Sequence, residues 1–448
     1  MSPNQSRNAQ RRVVLARWWA RAKQIVTSDP RSSDEDDAVV DEAAAEALAR
    51  EAQNSHGALA KVAQLAAYDP GALFGDELDP ERGFLPRAST TLGKLWDGAR
   101  ALGMDQISEV IQQDLGRSPS ALFAEFSTTP LAAASLGQVH AATGHDGEAY
   151  VVKVQYPGVA SALEADLRDG AMARRLAGAQ LAQAVDEPQL AVLTESVRGE
   201  LDYQQEATAL TAFASIWRDT PELAFPVVDR ERSSRRVLTM TRARGLTLPQ
   251  LLELTDARGG TLRRLAAAAI YRFTWGSPLA HAVLNTDPNP GNFLVEETAR
   301  GAVVWCLDFG ATTAVEPQVV AADRELWWAL LDRDAEGAAE RFRMALAQAG
   351  LLRRTDSLFS DVHREWERAL LRPFLEGGAF VFDSAYAREL ATTTGRALAA
   401  GGLTLSPRTV MLWRQRLAAA AVIGLLGAKV PCRRILEDLI GTGRRALR

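Results

Sequence analysis

The chain changes character near residue 316, and that change restricts its fold more than any other feature. Before it, strand-like segments recur between helical stretches; after it, apolar residues follow the 3.6-residue period of helices almost without interruption. A β-rich block followed by a long helical block predicts an α+β protein with two lobes. The strand-like segments are GQVHAAT (137–143), EAYVVKVQY (148–156), RRVLTMTRA (235–243), NFLV (292–295) and AVVWCLDFG (302–310).

An N-terminal extension is predicted ahead of the two lobes. Residues 7–26 carry six basic and no acidic residues, and their apolar side chains share one helical face. Such a helix either lies on an anionic membrane or docks on its own protein, and the sequence leaves both open. An acidic linker completes the segment 1–37, and an Ala-rich helical extension is predicted over 38–125. The lobes are predicted over 126–243 and 244–448.

Composition narrows the class of protein. With 448 residues and 47% hydrophobic content, the chain is long enough for two to three domains with a real core. A net charge of −5 argues against a nucleic-acid partner. Cys306 and Cys432 lie far apart in the sequence, which argues against a disulfide framework, and the five histidines include no HxxxH pair, which argues against a zinc site. This usage favours a cytoplasmic setting.

The apolar run Leu417–Ala428 is too short to cross a membrane alone, and it is predicted to be a buried helix. Any membrane contact would therefore be peripheral, through the basic N-terminal segment.

The segment LAAASLGQVHAA has the spacing of the loop that covers nucleotide phosphates in kinases. In that G-x-G-x-x-G-x-V pattern, alanines replace the first two glycines, while the third glycine and the valine are retained. Backbone N–H groups can still face phosphate, so the segment predicts a nucleotide-binding loop; an Ala-rich helix is the alternative. The residues assigned to this loop are Ala132, Ala133, Ala134, Ser135, Gly137 and Val139.

Lys153 lies in the apolar strand EAYVVKVQY, fourteen residues after Val139. It has the place of the strand lysine that grips the α- and β-phosphates in kinases, and a charge among apolar neighbours needs a partner or ligand. The segment RGELDYQQEA is predicted to be one helix carrying Glu200, Asp202 and Glu206, and we expect Glu206 to pair with Lys153. The alternatives are an edge-strand lysine that faces water and a solvated acidic helix face.

The loop NTDPNPGN is stiff, because Pro288 and Pro290 fix φ at their own positions. Within it, Asp287 and Asn292 have a D-x-x-x-x-N spacing that predicts a catalytic loop: the aspartate orients or deprotonates a hydroxyl or water, and the asparagine binds magnesium. Sixteen residues after the asparagine, VVWCLDFG delivers Asp308 at the end of an apolar strand, and carboxylate oxygen is a ligand that Mg²⁺ prefers. A surface turn before a hairpin is the alternative interpretation of the loop.

Together these segments resemble the UbiB/AarF/ADCK-type atypical kinases. The resemblance is specific over about residues 109–312 and rests on PLAAASLGQVHAA, VVKVQYPGV, ELDYQQEA, DPNPGNFLV and LDFG. It implies a two-lobed protein-kinase-like fold, ATP or ADP with Mg²⁺ as cofactors, and N-terminal helices folded over the region where a protein kinase receives a peptide. By the same resemblance, Lys61 and Gln64 stand in the place of a K-x-G-Q motif and would point into the active site, close to the E-x-D pair Glu200 and Asp202.

The sequence departs from the pattern of that family at two places. Ala63 replaces the glycine of K-x-G-Q, which adds a methyl group where helices are expected to pack closely. The usual H-A-D-x-H-P-G-N loop reads NTDPNPGN here, so that Asn285 and Asn289 replace both histidines. We therefore expect altered proton handling around Asp287, with the metal-binding residues retained.

The resemblance implies a magnesium-dependent atypical kinase or ATPase that supports isoprenoid-lipid or quinone-related metabolism. Its partners would be an adenine nucleotide and a lipid or isoprenoid small molecule, with peptide substrates blocked. Two alternatives stay open. A catalytically weak nucleotide-binding scaffold is suggested by the departures at Ala63, Asn285 and Asn289, and a small-molecule phosphotransferase in a biosynthetic pathway would share the aspartate-bearing loops.

Overall fold

The computed structural model describes residues 102–133, 136–167, 186–331, 338–352, 360–375 and 378–444. The predictions for the basic segment, the acidic linker and the Lys61–Gln64 motif lie outside the described residues. The predictions for Ala134 and Ser135 lie outside them as well.

An antiparallel sheet of five strands, in the order β1-β2-β3-β6-β5, forms the base of the N-terminal half. Branched and aromatic side chains dominate β3 and β6 because they fit a pleated surface. Strand β1 was not predicted, since EFSTTPLAA lacks a clear alternation; its register shifts on both sides of Pro130, as suits an edge strand. The strands are β1 (Glu125–Ala133), β2 (Gly137–Thr143), β3 (Ala149–Gln155), β5 (Val228–Asp229) and β6 (Val237–Thr241).

The described residues of the predicted nucleotide loop belong to two antiparallel strands, β1 and β2. Ala132 and Ala133 end strand β1, Gly137 and Val139 belong to strand β2, and residues 134–136 link the two strands, so four of the six residues assigned to the loop lie in strands. Gly137 opens β2 where a β-carbon would lie 2.3 Å from the carbonyl oxygen of Val154 on β3. Glycine is therefore required at that position by the close approach of two backbones.

Helices cover both faces of this sheet. On one face, α1 (Met104–Leu115) and α2 (Pro119–Leu122) pack on Val152 and Val154, both fully buried. The opposite face carries Lys153 between these two valines, because alternate side chains of a strand point to opposite faces. The strand β3 is thus covered on both sides.

The segment predicted as a single acidic helix is two helices, so that prediction was wrong. After α3 (Val159–Leu167), helix α4 (Glu187–Gly199) ends just before Glu200. Asp202 then caps the start of α5 (Tyr203–Ile216), where its carboxylate accepts hydrogen bonds from two backbone N–H groups. Aspartate favours such N-cap positions over helix interiors, which explains the break.

Helix α5 packs on the face of the sheet that carries Lys153. Its residues Tyr203 and Ala207 form a buried cluster with Leu238 of β6. Leu238 lies directly opposite Lys153 in the β3–β6 ladder, so both side chains point to the same face. The helix is thereby brought over the lysine.

A second sheet, in the order β4-β10-β9-β7, begins the C-terminal half. Strands β9 and β10 form an antiparallel hairpin, and β4 runs parallel to β10 with Leu223 opposite Val304. Since β4 follows α5 in the chain, this short pairing joins that helix to the strand leading to Asp308. The strands are β4 (Leu223–Ala224), β7 (Leu246–Thr247), β9 (Phe293–Thr298) and β10 (Gly301–Cys306), with β8 (Val283–Asn285) and β11 (Thr312–Ala314) paired beside them.

Helices make up most of the rest of the C-terminal half. The apolar run Leu417–Ala428 lies largely in α12, which is buried along most of its length, as predicted. Over the ranges given above, no helix is both long and apolar enough to cross a membrane. The remaining helices are α6 (Leu248–Glu253), α7 (Ala257–His281), α8 (Pro317–Leu331), α9 (Ala338–Gln348), α10 (Asp361–Leu375), α11 (Ser384–Ala399), α12 (Val410–Leu426) and α13 (Cys432–Arg444).

A small antiparallel sheet corrects the prediction of an almost entirely helical C-terminal region. Strands β12 (Phe380–Phe382) and β13 (Ala428–Val430) pair with each other, and Phe380 and Phe382 face the core while Val381 is exposed. Three residues are too few to give a recognisable alternation in the sequence. The described residues nonetheless form the α+β architecture that was predicted.

Candidate functional site

Lys153, Glu206 and Asp308 meet between the two sheets. The Nζ atom of Lys153 lies 2.7 Å from Oε1 of Glu206 and 3.1 Å from Oδ2 of Asp308. Strand β3 supplies the lysine, helix α5 supplies the glutamate, and the aspartate follows strand β10. The ion pair between Lys153 and Glu206 that we expected from the sequence is therefore present.

Burial determines the electrostatics of this cluster. The side chains of Lys153 and Glu206 are 8% and 2% exposed, whereas that of Asp308 is 37% exposed. Burial raises the pKa of Glu206 to about 7, with Asp308 adding to the shift and Lys153 opposing it. Burial alone would lower the pKa of Lys153, but Asp308 and Glu206 together hold it well above its ordinary value. The lysine stays charged, and Asp308, the most exposed of the three side chains, offers carboxylate oxygen to a cation bound beside it.

Two aromatic residues hold the cluster in place, and the sequence analysis did not single out either. The Nζ atom of Lys153 lies 5.3 Å from the ring centroid of Tyr203, within cation–π range. Phe309 donates its backbone N–H to Oε1 of Glu206 at 3.4 Å, and its ring lies 4.8 Å from that of Phe213 on α5. Phe309 could have been found from its place beside Asp308 in the DFG segment. Tyr203 could have been found as the aromatic residue that directly follows the capping residue Asp202.

The predicted catalytic loop lies beside the segment that carries Asp308. Asn292 donates from Nδ2 to the carbonyl oxygen of Asp287 at 2.9 Å, and its own carbonyl accepts the N–H of Leu307 at 3.0 Å. Asp308, the next residue, accepts the N–H of Gly310 on Oδ1 at 3.0 Å. The fold thus brings Asp287, Asn292 and Asp308 to the same end of the β9–β10 hairpin.

Both asparagines that replace the histidines of the resembled family bind backbone groups. Asn285 donates from Nδ2 to the carbonyl oxygen of Asp308 at 2.7 Å and accepts the N–H of Asp287 on Oδ1 at 3.2 Å. Asn289 accepts the N–H of Gly291 on Oδ1 at 2.9 Å and caps the 3₁₀ turn Pro290–Asn292. Amide side chains therefore hold the loop in its conformation.

The β1–β2 hairpin places the predicted nucleotide loop next to Lys153. Ala132 pairs with Val139 across β1 and β2, and Val139 pairs with Lys153 across β2 and β3. The three residues thus form one row across the sheet, and the hairpin tip begins just beyond that row. Ala134 and Ser135 lie outside the described residues, so their predicted contacts with phosphate stay predictions.

Glu200 and Asp202 lie near the site in different roles. A β-carbon built on Gly310 would lie 3.6 Å from Cγ of Glu200, so Glu200 borders the turn that follows Asp308. Asp202 instead accepts the N–H groups of Gln204 and Gln205 at 3.0 and 3.4 Å. The predicted approach of Lys61 and Gln64 to this pair is not tested, because those two residues lie outside the described ranges.

The residues present fit a magnesium ion bound together with phosphates. Within the described ranges, no group of three or more histidine, cysteine or acidic side chains is arranged to hold a metal on its own. Magnesium commonly takes one or two carboxylates and completes its coordination with waters and substrate phosphates. Asp308 offers a partly exposed carboxylate as a ligand. Asn292 binds Asp287 through Nδ2, and its amide oxygen Oδ1 is the atom that would bind the ion. The donors are oxygens, as a hard cation requires.

Comparison with known proteins identifies the family. Residues 94–342 match the ABC1 atypical kinase-like domain. The chain is 28% identical over 356 residues to the mitochondrial atypical kinase COQ8 of Saccharomyces cerevisiae, covering 78% of this chain and 68% of that protein. An uncharacterized Mycobacterium tuberculosis protein is 29% identical over 310 residues, covering 68% of this chain and 60% of that relative, so the chain spans about three fifths of the relative's length.

A solved structure shows the same fold. The Rv3197 protein of Mycobacterium tuberculosis, in complex with erythromycin, superposes with a TM-score of 0.58 at 24% identity. The superposition covers 76% of this chain and 84% of that chain. With the family match, this establishes the kinase-like α+β fold that the sequence predicted.

Proposed function

Because the chain belongs to the family of ABC1 atypical kinase-like proteins, we propose that it is a magnesium-dependent atypical kinase or ATPase that binds ATP or ADP. The observation that carries the proposal is the buried Lys153–Glu206 pair with Asp308 at its exposed side. A buried charge cluster contributes little to stability by itself, since desolvation offsets much of the attraction between the charges. A ligand that needs these charges would account for the cluster at the meeting point of the two sheets.

Each side chain of the site has a proposed role. Lys153 binds the α- and β-phosphates, and Glu206 holds the lysine in the orientation that this requires. Asp308 and Asn292 hold the magnesium ion, which when bound neutralises charge on the phosphates. Asp287 orients or deprotonates the hydroxyl or water that attacks. The backbone N–H groups of the β1–β2 tip, around Ala134 and Ser135, face the phosphates.

The proposed division of the chain follows the sequence analysis. Residues 126–243 form the nucleotide lobe, 244–448 form the helical lobe, and the extension over 38–125 covers the region where a peptide would enter. The proposed acceptor is accordingly water or a small molecule, of the isoprenoid-lipid or quinone-related class that the family resemblance implies. Membrane contact through the basic segment is testable with anionic liposomes: deletion of residues 1–28 should abolish pelleting with the vesicles, and unchanged pelleting would assign the contact elsewhere.

Nucleotide binding is tested by thermal unfolding with ATP and ADP, each with and without magnesium. A ligand present at 100 times its dissociation constant should add about 2.7 kcal/mol to the free energy of unfolding. We expect a magnesium-dependent rise in the unfolding temperature of the wild type that is absent in Asp308→Asn. No rise with either nucleotide would overturn the proposal.

Turnover separates an enzyme from a nucleotide-binding scaffold. Asp287→Asn should keep its affinity for Mg–ADP, because the substitution leaves Lys153, Asn292 and Asp308 in place, while the hydrolysis or transfer of phosphate from ATP falls by about 10²–10⁴-fold, as expected for loss of a general base. If wild type and variant release phosphate at the same background rate while binding ADP equally well, the protein is a scaffold.

A further inference from the structure

One amide side chain connects the two aspartate-bearing loops of the site. Asn285 ends strand β8, and its side chain is largely buried, with 7% of the residue exposed. Its Oδ1 accepts the backbone N–H of Asp287, and its Nδ2 donates to the backbone carbonyl of Asp308. A single side chain therefore binds the main chain of both residues that we assign to catalysis and to the metal.

The backbone around Asn285 strengthens this connection. Asn285 pairs with Thr312 in the β8–β11 ladder, and the next residue, Thr286, donates both its N–H and its hydroxyl to the carbonyl oxygen of Ala311. Asp287 thus lies just after strand β8 and Asp308 a few residues before strand β11, and these two strands pair with each other. The amide of Asn285 connects the backbones of the two aspartates directly.

The chemistry of an amide suits this bridge. An amide has a fixed acceptor and a fixed donor, and here the acceptor faces an N–H while the donor faces a carbonyl. The imidazole expected at this position from the family pattern changes its donor and acceptor groups when it takes up a proton. An asparagine makes the same two bonds at any pH at which the protein is folded.

We propose that Asn285 is a positioning residue that sets the spacing between Asp287 and Asp308, so that a magnesium–nucleotide held by Asp308 and Asn292 lies in register with Asp287. The inference rests on the proposed function and extends it to a residue whose amide binds the backbones of the two aspartates. It also gives a structural reason why asparagine serves where the resembled family carries histidine.

Asn289 provides a matched control. It has the same side chain, lies in the same loop and is equally buried, at 7%. Its Oδ1 binds the N–H of Gly291, so its bond stays within the loop and does not reach Asp308. Removing either amide loosens the loop, but only removal of Asn285 breaks the bridge.

The experiment measures the dissociation constant of ADP with and without magnesium for the wild type, Asn285→Ala and Asn289→Ala, after thermal unfolding has shown that each is folded. The ratio of the two constants reports how far magnesium strengthens binding, and it is insensitive to a general loss of stability. We expect Asn285→Ala to lower this ratio about tenfold, as befits the loss of one or two hydrogen bonds at the metal-binding residue. Asn289→Ala should change it less than twofold.

A second pair of variants covers the case in which Asn285→Ala does not fold. Asn285→Asp keeps the acceptor for Asp287 and loses the donor to Asp308, whereas Asn289→Asp keeps its one acceptor and adds the same charge to the same loop. A lower ratio in Asn285→Asp than in Asn289→Asp supports the bridge. Equal ratios within either pair overturn the inference, while a wild type without magnesium-dependent ADP binding overturns the proposed function.

Discussion

At the scale of single residues, Lys153 restricts its surroundings more than any other side chain of the site. Its ammonium group forms ion pairs with Glu206 and Asp308 and a cation–π contact with the ring of Tyr203. Glu206 and Tyr203 lie on helix α5, whereas Asp308 follows strand β10. Burial of the ammonium requires all of them to stay close. Substitutions around the lysine are therefore expected to act through charge as much as through volume.

The first prediction concerns removal of this charge. Lys153→Met should lower the free energy of unfolding by about 3–5 kcal/mol, because Glu206 would lose its counter-charge and would either stay charged in the core or take up a proton there. Adding Glu206→Gln to that variant should restore about 1–3 kcal/mol, since an amide of the same shape needs neither a counter-charge nor a proton. Urea denaturation of the two variants and of the wild type measures both values. A double variant no more stable than Lys153→Met would show that the pair contributes by packing alone.

At the scale of elements, helix α1 is tied to the first sheet by one carboxylate. Asp114 accepts hydrogen bonds from the side chain of Ser234, from the backbone N–H of Arg236 and from the Nε and Nη2 atoms of that arginine. Burial would raise the pKa of Asp114, but its bonds to Arg236 and Ser234 outweigh this and lower the pKa below its ordinary value. The helix is thereby docked by a charged interaction in addition to its apolar face.

The second prediction follows from the sign of that shift. A carboxyl group whose pKa is lowered by folding stabilises the protein above its ordinary pKa, near 4, and loses this contribution as the pH falls through the folded value. Asp114→Asn should therefore lower the free energy of unfolding by about 1–3 kcal/mol at pH 7. The difference between variant and wild type should shrink as the pH is lowered from 5 to 3. Urea denaturation across this range tests it, and a difference that does not change with pH would refute it.

The third prediction concerns the close approach of β2 and β3. Gly137→Ala should lower the free energy of unfolding by about 1–3 kcal/mol, because the new methyl group would meet the carbonyl oxygen of Val154 and force the strands apart. Gly260→Ala is the control, since its β-carbon would meet only the tip of the Arg263 side chain, at 3.9 Å, inside helix α7. That control should be neutral or stabilising by about 0.5–1 kcal/mol. Similar losses in both variants would argue against a steric cause.

The elements also show what a sequence can and cannot predict. Strands β2, β3, β6, β9 and β10 and helix α12 were predicted because each has a long or strongly alternating pattern, whereas β4, β7, β12 and β13 have two or three residues and exist only through their partners. The pairing of Lys153 with Glu206 was predictable from the order of motifs. The bridge made by Asn285 was not, since it depends on how two distant loops lie against each other.

At the scale of the whole molecule, a buried ion pair joins two helices of the C-terminal half away from the site. Arg416 of α12 binds both carboxylate oxygens of Asp323 on α8, and the two residues are 2% and 3% exposed. The guanidinium carbon lies 5.0 Å from the ring of Trp327 and 5.3 Å from the ring of Trp413. The pair fixes how α8 and α12 pack.

The fourth prediction is that this ion pair affects the stability of the fold and leaves the affinity of the proposed nucleotide site unchanged. Arg416→Met should lower the free energy of unfolding by about 3–5 kcal/mol, because Asp323 would be left buried and unpaired. The dissociation constant of Mg–ADP, measured on the folded variant by calorimetry, should stay within about twofold of the wild type, since the substitution lies outside the proposed site. Weaker nucleotide binding by more than tenfold would show that the packing of α8 on α12 reaches the site.

The side chains of the row Ala132–Val139–Lys153–Leu238 share one face of the first sheet, and the residues on either side of each point to the other face. Val152 and Val154 point into the core beneath α1, while Lys153 points to α5. Inserting one residue into β3 would therefore exchange the two faces, burying the ammonium beneath α1 and turning valines toward α5. Inserting two residues would return each side chain to its original face of the sheet and would shift the lysine two positions along the strand. Tolerance of β3 to insertions should therefore alternate between odd and even lengths, so that a longer insertion can be less harmful than a shorter one.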